Sequence, residues 1–300
     1  MYYIKPVTVT NSVLTASNID EPDLSSGEVE WVSGTDYNVG DEVIRTATHK
    51  RYECSIKNPD KTIAPELNPD HWIEIGQTNK WAMFDTKITT KSQRRTSIIV
   101  DITPPSVCSK IAFIGVDAAS IKVDVIVGGS IVYTSEVDLV DVGVSDWWEY
   151  FYLDYSYSHR AIFTLPTYRS CIIRATITAE TGLKARCGAV ILGKQIEIGD
   201  SLLGVRVGIK DFSTKETDAF GDTVIVQRDY SDKMAIDVAI PTSRIEYVRD
   251  DLATMRATPT VFVGEDEQKS TIIFGFIDNF EIILPNLSYS DCSISIEGLT

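Results

Sequence analysis

Apolar and polar residues alternate strictly through most of this chain, the pattern of strands that bury one face and leave the other to solvent. In "SCIIRATIT", Cys171, Ile173, Ala175 and Ile177 are expected to face inward, with Arg174, Thr176 and Thr178 outward. In "SIKVDVIVGG" the inward set is Ile121, Val123, Val125 and Val127, and Gly128-Gly129 supplies a hairpin turn into "SIVYTSEV". The runs "DKMAIDVAIP", "STIIFGFI", "NFEIIL" and "CSISIEG" repeat the alternation, with Gly, Pro, Asn and Asp clusters between them. The expected class is mainly β, built as sandwiches or barrels rather than as a parallel α/β sheet.

One segment breaks the alternation. "PTSRIEYVRDDLATMRATP" places Ile245, Val248, Leu252 and Met255 on one helical face, predicting a helix near 243–257 that lies as a lid over an open barrel or sandwich end. Ser243 and Glu246 have capping-box spacing, and Pro259 marks the exit.

Shifts in texture divide the chain into a polar lead-in (1–30), an aromatic module (31–76), a jelly-roll-like β-sandwich (77–199) and a C-terminal β domain with the helix (200–300). The module is short for a domain and poor in aliphatic residues, so Trp31, Tyr37, Tyr52 and Trp72 must supply apolar surface. Two uses compete for these rings: packing as the core, or lying exposed to stack on sugar faces.

Composition narrows the function. Apolar residues are 43% and charged residues 24%, which suits a globular protein and no transmembrane or disordered one. No apolar run reaches the roughly 18 residues of a membrane helix, and the start does not read as a secretory signal. A net charge of −15 disfavours nucleic acid, whose binding rests on Lys and Arg displacing counterions. The five cysteines lie singly, with no C-x-x-C pair, and are expected to be reduced, buried small hydrophobes. His49, His71 and His159 lack partners at metal-ligand spacing, and no nucleophile elbow, zinc helix or phosphate loop occurs. No metal, cofactor or catalytic group is therefore expected, although abundant carboxylates, such as Asp278 with Glu281, keep a glycosidase pair open.

Two further stretches draw notice. "VSDWWEYFYLDYSYSH" carries Trp147, Trp148, Tyr150, Tyr152, Tyr155 and Tyr157; as a strand it would turn one ring set inward and the other to a partner protein or glycan. "VGIKDFSTKETDAFGDTVIVQRDYSDK" mixes aromatic and charged residues around a Gly221-Asp222 turn and suits an intersubunit clasp. Its Lys210, Lys215, Arg228 and Lys233 lie near Asp211, Glu216, Asp218 and Asp229, so exposed ion pairs of about 0.2–1 kcal/mol each would set its register. A solvated charged hairpin is the duller reading of the same residues.

Trp31, Tyr37, Gly40-Asp41, Val43, Tyr52, Cys54, Pro65 and Trp72 resemble the W…Y…GD-x-V…Y-x-C…P…W pattern of chitin-binding-type carbohydrate-binding modules. That resemblance implies a three-stranded β unit that docks on polysaccharide with exposed rings; the His-Thr pair often found after the Cys is replaced here by "IKNPDKT". The ordered set "YYIKPVTVT", "IGQTNKWAMFD", "DWWEYFY", "TLPTYRSCIIRATIT", "RCGAVILGKQIEIGDSLLGVRVGIKDF", "LATMRATPTVFVG" and "CSISIEGL" resembles a family of tailed-bacteriophage tail proteins. It implies a virion component at the tip, baseplate or fibre attachment, binding copies of itself and other tail proteins. A glycan-binding adhesin is the alternative, with Trp31, Tyr37, Tyr52, Trp72, Trp147 and Trp148 as candidate contacts, and a polysaccharide hydrolase is the third reading.

Overall fold

The computed structural model describes residues 1–57, 60–141, 146–152, 156–217, 220–265, 268–283 and 288–299. The chain is mainly β and sandwich-like, half of it in strands and a tenth helical. It forms two compact units: one from Met1–Val7, Cys108–Ala112 and Ile191–Thr300, the other from Thr8–Val107 and Phe113–Val190. This differs from a linear succession of four segments. The start of the expected lead-in belongs with the C-terminal part, and the module shares a unit with most of the expected 77–199 sandwich.

The first unit shows why the chain's start is not a polar arm. Tyr2, Tyr3 and Ile4 are consecutive and all buried, which a strand achieves only when both faces are covered. Tyr2–Pro6 accordingly lies between Ala189–Glu197 and Thr260–Val263, antiparallel to both. The sheet continues through Ile272–Ile283, Tyr289–Gly298 and Tyr230–Pro241, to which Arg206–Asp211 pairs as an outer strand. The helix Ile245–Thr254 packs on this sheet. Its Ile245, Val248 and Leu252, with Met255 just beyond, join Tyr3, Met234, Ile236, Phe262, Ile273 and Ile294 in one core. The capping box does not form, because a 3-10 turn over Thr242–Arg244 takes up Ser243 and leaves Arg244 at the N-cap without a side-chain cap bond. A hydrogen bond from the Tyr3 hydroxyl to Asp251 fixes the helix to the sheet, and burial pushes the Tyr3 pKa upward.

In the second unit a five-stranded antiparallel sheet runs Ser130–Asp138, Ser120–Val127, Ile172–Thr178, Ser97–Ile102, Leu14–Ser17. The alternation reads through as expected: Ile121, Val123, Val125, Cys171, Ile173, Ala175 and Ile177 are buried, and Ile98, Val100 and Ile102 join them from the neighbouring strand. Val127, last of its set, is only half-buried. Each fully buried Ile or Val contributes about 1.5–3 kcal/mol. On the outer face Arg174 grips Asp101 through two bonds of 2.7 Å. Gly128 and Gly129 both have positive φ (59° and 84°), the geometry of a two-residue hairpin turn that matches strand twist.

A buried polar knot joins distant segments of the same unit. The Glu21 carboxylate accepts from Thr78 Oγ1 at 2.7 Å and Trp81 Nε1 at 3.0 Å and contacts His49 Nδ1 at 2.9 Å; the His49 ring stacks on Trp81. Beside it, Glu28 accepts the backbone N–H groups of Asp23 and Asn79, while Asn79 Nδ2 donates to Asp23 and to the Gln93 carbonyl. Burial raises the Glu28 pKa. Burial also pushes Asp23 upward, but hydrogen bonds from Ser25 and Asn79 outweigh it, so its net shift is downward.

Candidate interaction surfaces

The module's strands Glu42–Arg45, Lys50–Cys54 and Trp72–Gln77 form the expected three-stranded antiparallel sheet. Gly40 enters it at φ 89°, and Asp41 closes the turn by accepting the Asn38 N–H at 2.7 Å. Register then sets Val43 opposite Tyr52 and Cys54 opposite Trp72. Those four residues with Trp31 and Tyr37 make the module's core, the rings being only 2–9% exposed. Tyr37 meets Trp72 edge-on at 5.2 Å and accepts the Val32 N–H on its hydroxyl; the Arg45 guanidinium, held by Glu66, covers Trp31. Stacking on sugar requires an exposed ring face, and none of Trp31, Tyr37, Tyr52 and Trp72 offers one. The packing alternative accounts for all four.

Trp147 and Trp148 have the opposite fate. Their segment is a six-residue helix, Trp147–Tyr152, rather than an alternating strand. At 100° per residue, positions 147, 148, 151 and 152 fall within an arc of about 140°. Trp147, Trp148, Phe151 and Tyr152 are 66–79% exposed, and the Trp148 and Tyr152 rings lie 5.4 Å apart. This is a contiguous aromatic patch of the kind that marks contact sites. Tyr155 lies outside the described residues.

The first unit carries a second exposed apolar surface, which extends the stretch read as a clasp. Arg206–Asp211 is exposed at all six positions, including Val207 and Ile209, and its only strand partner among the described residues is Tyr230–Pro241. Beyond it, Thr214–Thr217 pairs with Thr223–Val226 as an isolated two-stranded ribbon, with Gly221 at φ 91° in the turn. Phe220 is 92% exposed, and Val224, Ile225 and Val226 are each more than half exposed. Of the expected charge pairs, Lys215 and Asp211 approach only to 4.0 Å, and Lys210 bonds Glu297 instead. Asp218 lies outside the described residues.

Among the described residues no group of three or more His, Cys, Asp and Glu is placed to hold a metal ion. His49 belongs to the polar knot, His71 bonds Asn68, and His159 Nδ1 donates to the Val116 carbonyl at 2.9 Å. Asp278 and Glu281 are both exposed on one strand. All five cysteines are buried and none is in a disulfide; burial pushes the Cys187 thiol up to about 12 and the Cys292 thiol to about 11. No helix among the described residues is long and apolar enough to cross a membrane. Comparisons with protein-family models, curated proteins and solved structures find no match to this chain.

Proposed function

We propose that this chain is a structural protein of a bacteriophage tail, at the tip, baseplate or fibre attachment, that acts by binding copies of itself and neighbouring tail proteins and catalyses nothing. The resemblance of its ordered segments to tail proteins motivates the reading, and the arm from Arg206 to Tyr230 is the observation that carries it. A two-stranded ribbon alone is marginally stable in water, and this one exposes Val224, Ile225 and Val226 on its second strand and Phe220 in its turn. An exposed outer strand next to it, carrying Val207 and Ile209, is a template for further pairing.

Charge points to self-association. Four cations (Arg206, Lys210, Lys215, Arg228) and five anions (Asp211, Glu216, Asp218, Asp222, Asp229) leave the arm at −1, in a chain of −15. Copies that repel elsewhere can therefore meet here. Interfaces of stable complexes take roughly 20–30 residues a side, which is the scale of this arm.

Ultracentrifugation of the purified chain over a concentration series tests the reading. Wild type should self-associate, and Val224→Glu with Ile225→Glu should weaken association by at least about tenfold, since a buried unpaired charge is costly. Both residues are exposed, so the circular dichroism of the variant should match wild type. A wild type that stays monomeric, or a variant that associates equally well, would refute the arm's role. Absence of the chain from purified particles would end the tail assignment.

A further inference from the structure

We infer that the cleft beside the strand Lys184–Cys187 is a binding site for an acidic saccharide. It has a volume of about 420 Å³, within the roughly 300–1,000 Å³ of small-molecule sites. Three kinds of surface meet there: an apolar wall containing Tyr157 and Leu183, two carboxylates, Asp117 and Glu180, and two cations, Lys184 and Arg186.

The cations carry the inference. Along Lys184–Cys187, Ala185 and Cys187 face the core, so Lys184 and Arg186 project together to the other side. The paired strand Ser92–Arg95 sets Arg95 directly opposite Lys184, on the same face. Like charges directly opposite each other destabilise a strand pair. Among the described residues, none of Arg95, Lys184 and Arg186 is in an ion pair, although the chain has 43 acidic side chains against 28 Lys and Arg. Neither nearby acid forms an ion pair with Lys184 or Arg186: Asp117 is held by Lys91 at 2.8 Å and by His159 at 3.3 Å, and Glu180 accepts the Tyr157 hydroxyl. Two cations that point at a cleft without an ion-pair partner are the arrangement that an anionic group on a ligand would complete, through charge-assisted bonds stronger than neutral ones.

The rest of the lining selects among anions. Asp117 and Glu180 would repel a polyphosphate, but their oxygens can accept bonds from hydroxyls. A Tyr ring and a Leu side chain that is 60% exposed suit the C–H face of a sugar ring. A ligand with hydroxyls, an apolar face and one anionic group satisfies all three surfaces, and that is a sugar bearing a carboxylate or a phosphate. None of the module's buried rings takes part.

Calorimetric titration of the full chain tests this with five probes: a glucuronic-acid disaccharide, glucose 6-phosphate, the neutral glucose disaccharide, inorganic phosphate and acetate. Saturable binding of an acidic sugar is expected, with the neutral sugar and both free anions at least about tenfold weaker, and the tighter acidic probe tells carboxylate from phosphate. Lys184→Gln and Arg186→Ala should each weaken that binding at least about tenfold, whereas Lys184→Arg should retain it. Because Lys184→Gln also relieves the like-charge pair, the unliganded variant should melt no lower than wild type. Equal binding of the neutral sugar, equal binding of a free anion, unchanged affinity in the variants, or no saturable binding up to about 10 mM would overturn the site. The outcome is separable from that of the arm experiment, since neither set of substitutions touches the other surface.

Discussion

Replacing Trp72 by Ala separates packing from sugar contact in the aromatic module. Trp72 is 2% exposed and lies in a core of six residues, edge-on to Tyr37 and opposite Cys54 in the sheet. Truncating a buried Trp to Ala costs about 3–5 kcal/mol, from lost transfer energy plus the cavity. So small a core has few neighbours able to close that cavity. Each kcal/mol lowers Tm by about 2–4 °C in a domain of 150–250 residues, so the expected drop is about 6–20 °C. The same loss raises the locally open population by about 10²–10⁴-fold, which limited proteolysis within residues 31–77 reads directly. Trp72→Phe supplies the comparison. The indole Nε1 is buried without a hydrogen-bond partner, so Phe gives up ring volume but removes an unsatisfied donor worth about 1–3 kcal/mol. Its Tm should lie close to wild type. A Trp72→Ala protein that melts within a degree of wild type and resists protease equally well would refute the packing account, because an exposed sugar-stacking ring is the only one that can be removed so cheaply.

The polar knot predicts opposite pH signatures from two neighbouring carboxyls. The native state holds the Glu28 proton more tightly than the unfolded chain does, so relative to Glu28→Gln the wild type should gain stability as pH falls toward 4.5. Asp23 is shifted downward, so its contribution is present above 3.8 and is lost as pH falls below it; relative to Asp23→Asn the wild type should lose stability there. Urea melts at stepped pH check both, and parallel profiles for the three proteins would contradict the assignment. In the first unit, a Cβ at Gly275 would lie 2.0 Å from the Glu297 carbonyl oxygen across the strand pair, whereas one at Gly208 would meet nothing within 4 Å. Gly275→Ala should cost about 1–3 kcal/mol or more, and Gly208→Ala under about 0.5. Equal melting temperatures for the two would show that the strands near Gly275 are not so close.

Local patterns were legible in the sequence where a single element carries its own period. Ile173, Ala175 and Ile177 report their burial through spacing two, and Ile245, Val248, Leu252 and Met255 report theirs through spacing three and four. The module's rings were legible as core through a shortage, since a short segment poor in aliphatic residues has nothing else to bury. What failed to show was pairing across long separations. Tyr2–Pro6 looks like the start of a polar arm until its neighbours near residues 195 and 262 are known, because nothing within five residues states which strands will flank them. The helix at Trp147 was hidden for another reason: dense aromatic residues favour strands by propensity, and a six-residue helix is too short to display a period.

The same distinction governs the two surfaces on which function is proposed. The arm could be read as a clasp from its composition, since its charges and rings are contiguous in sequence. The cleft could not, since Lys184 and Arg95 lie 89 positions apart and become a like-charge pair only through the register of two short strands. A cation left without a partner in an acidic chain is therefore informative only after the pairing is known. At that point it separates a strand edge that is merely solvated, where opposite charges settle against one another as Arg174 and Asp101 do, from one whose electrostatics are incomplete until a ligand arrives.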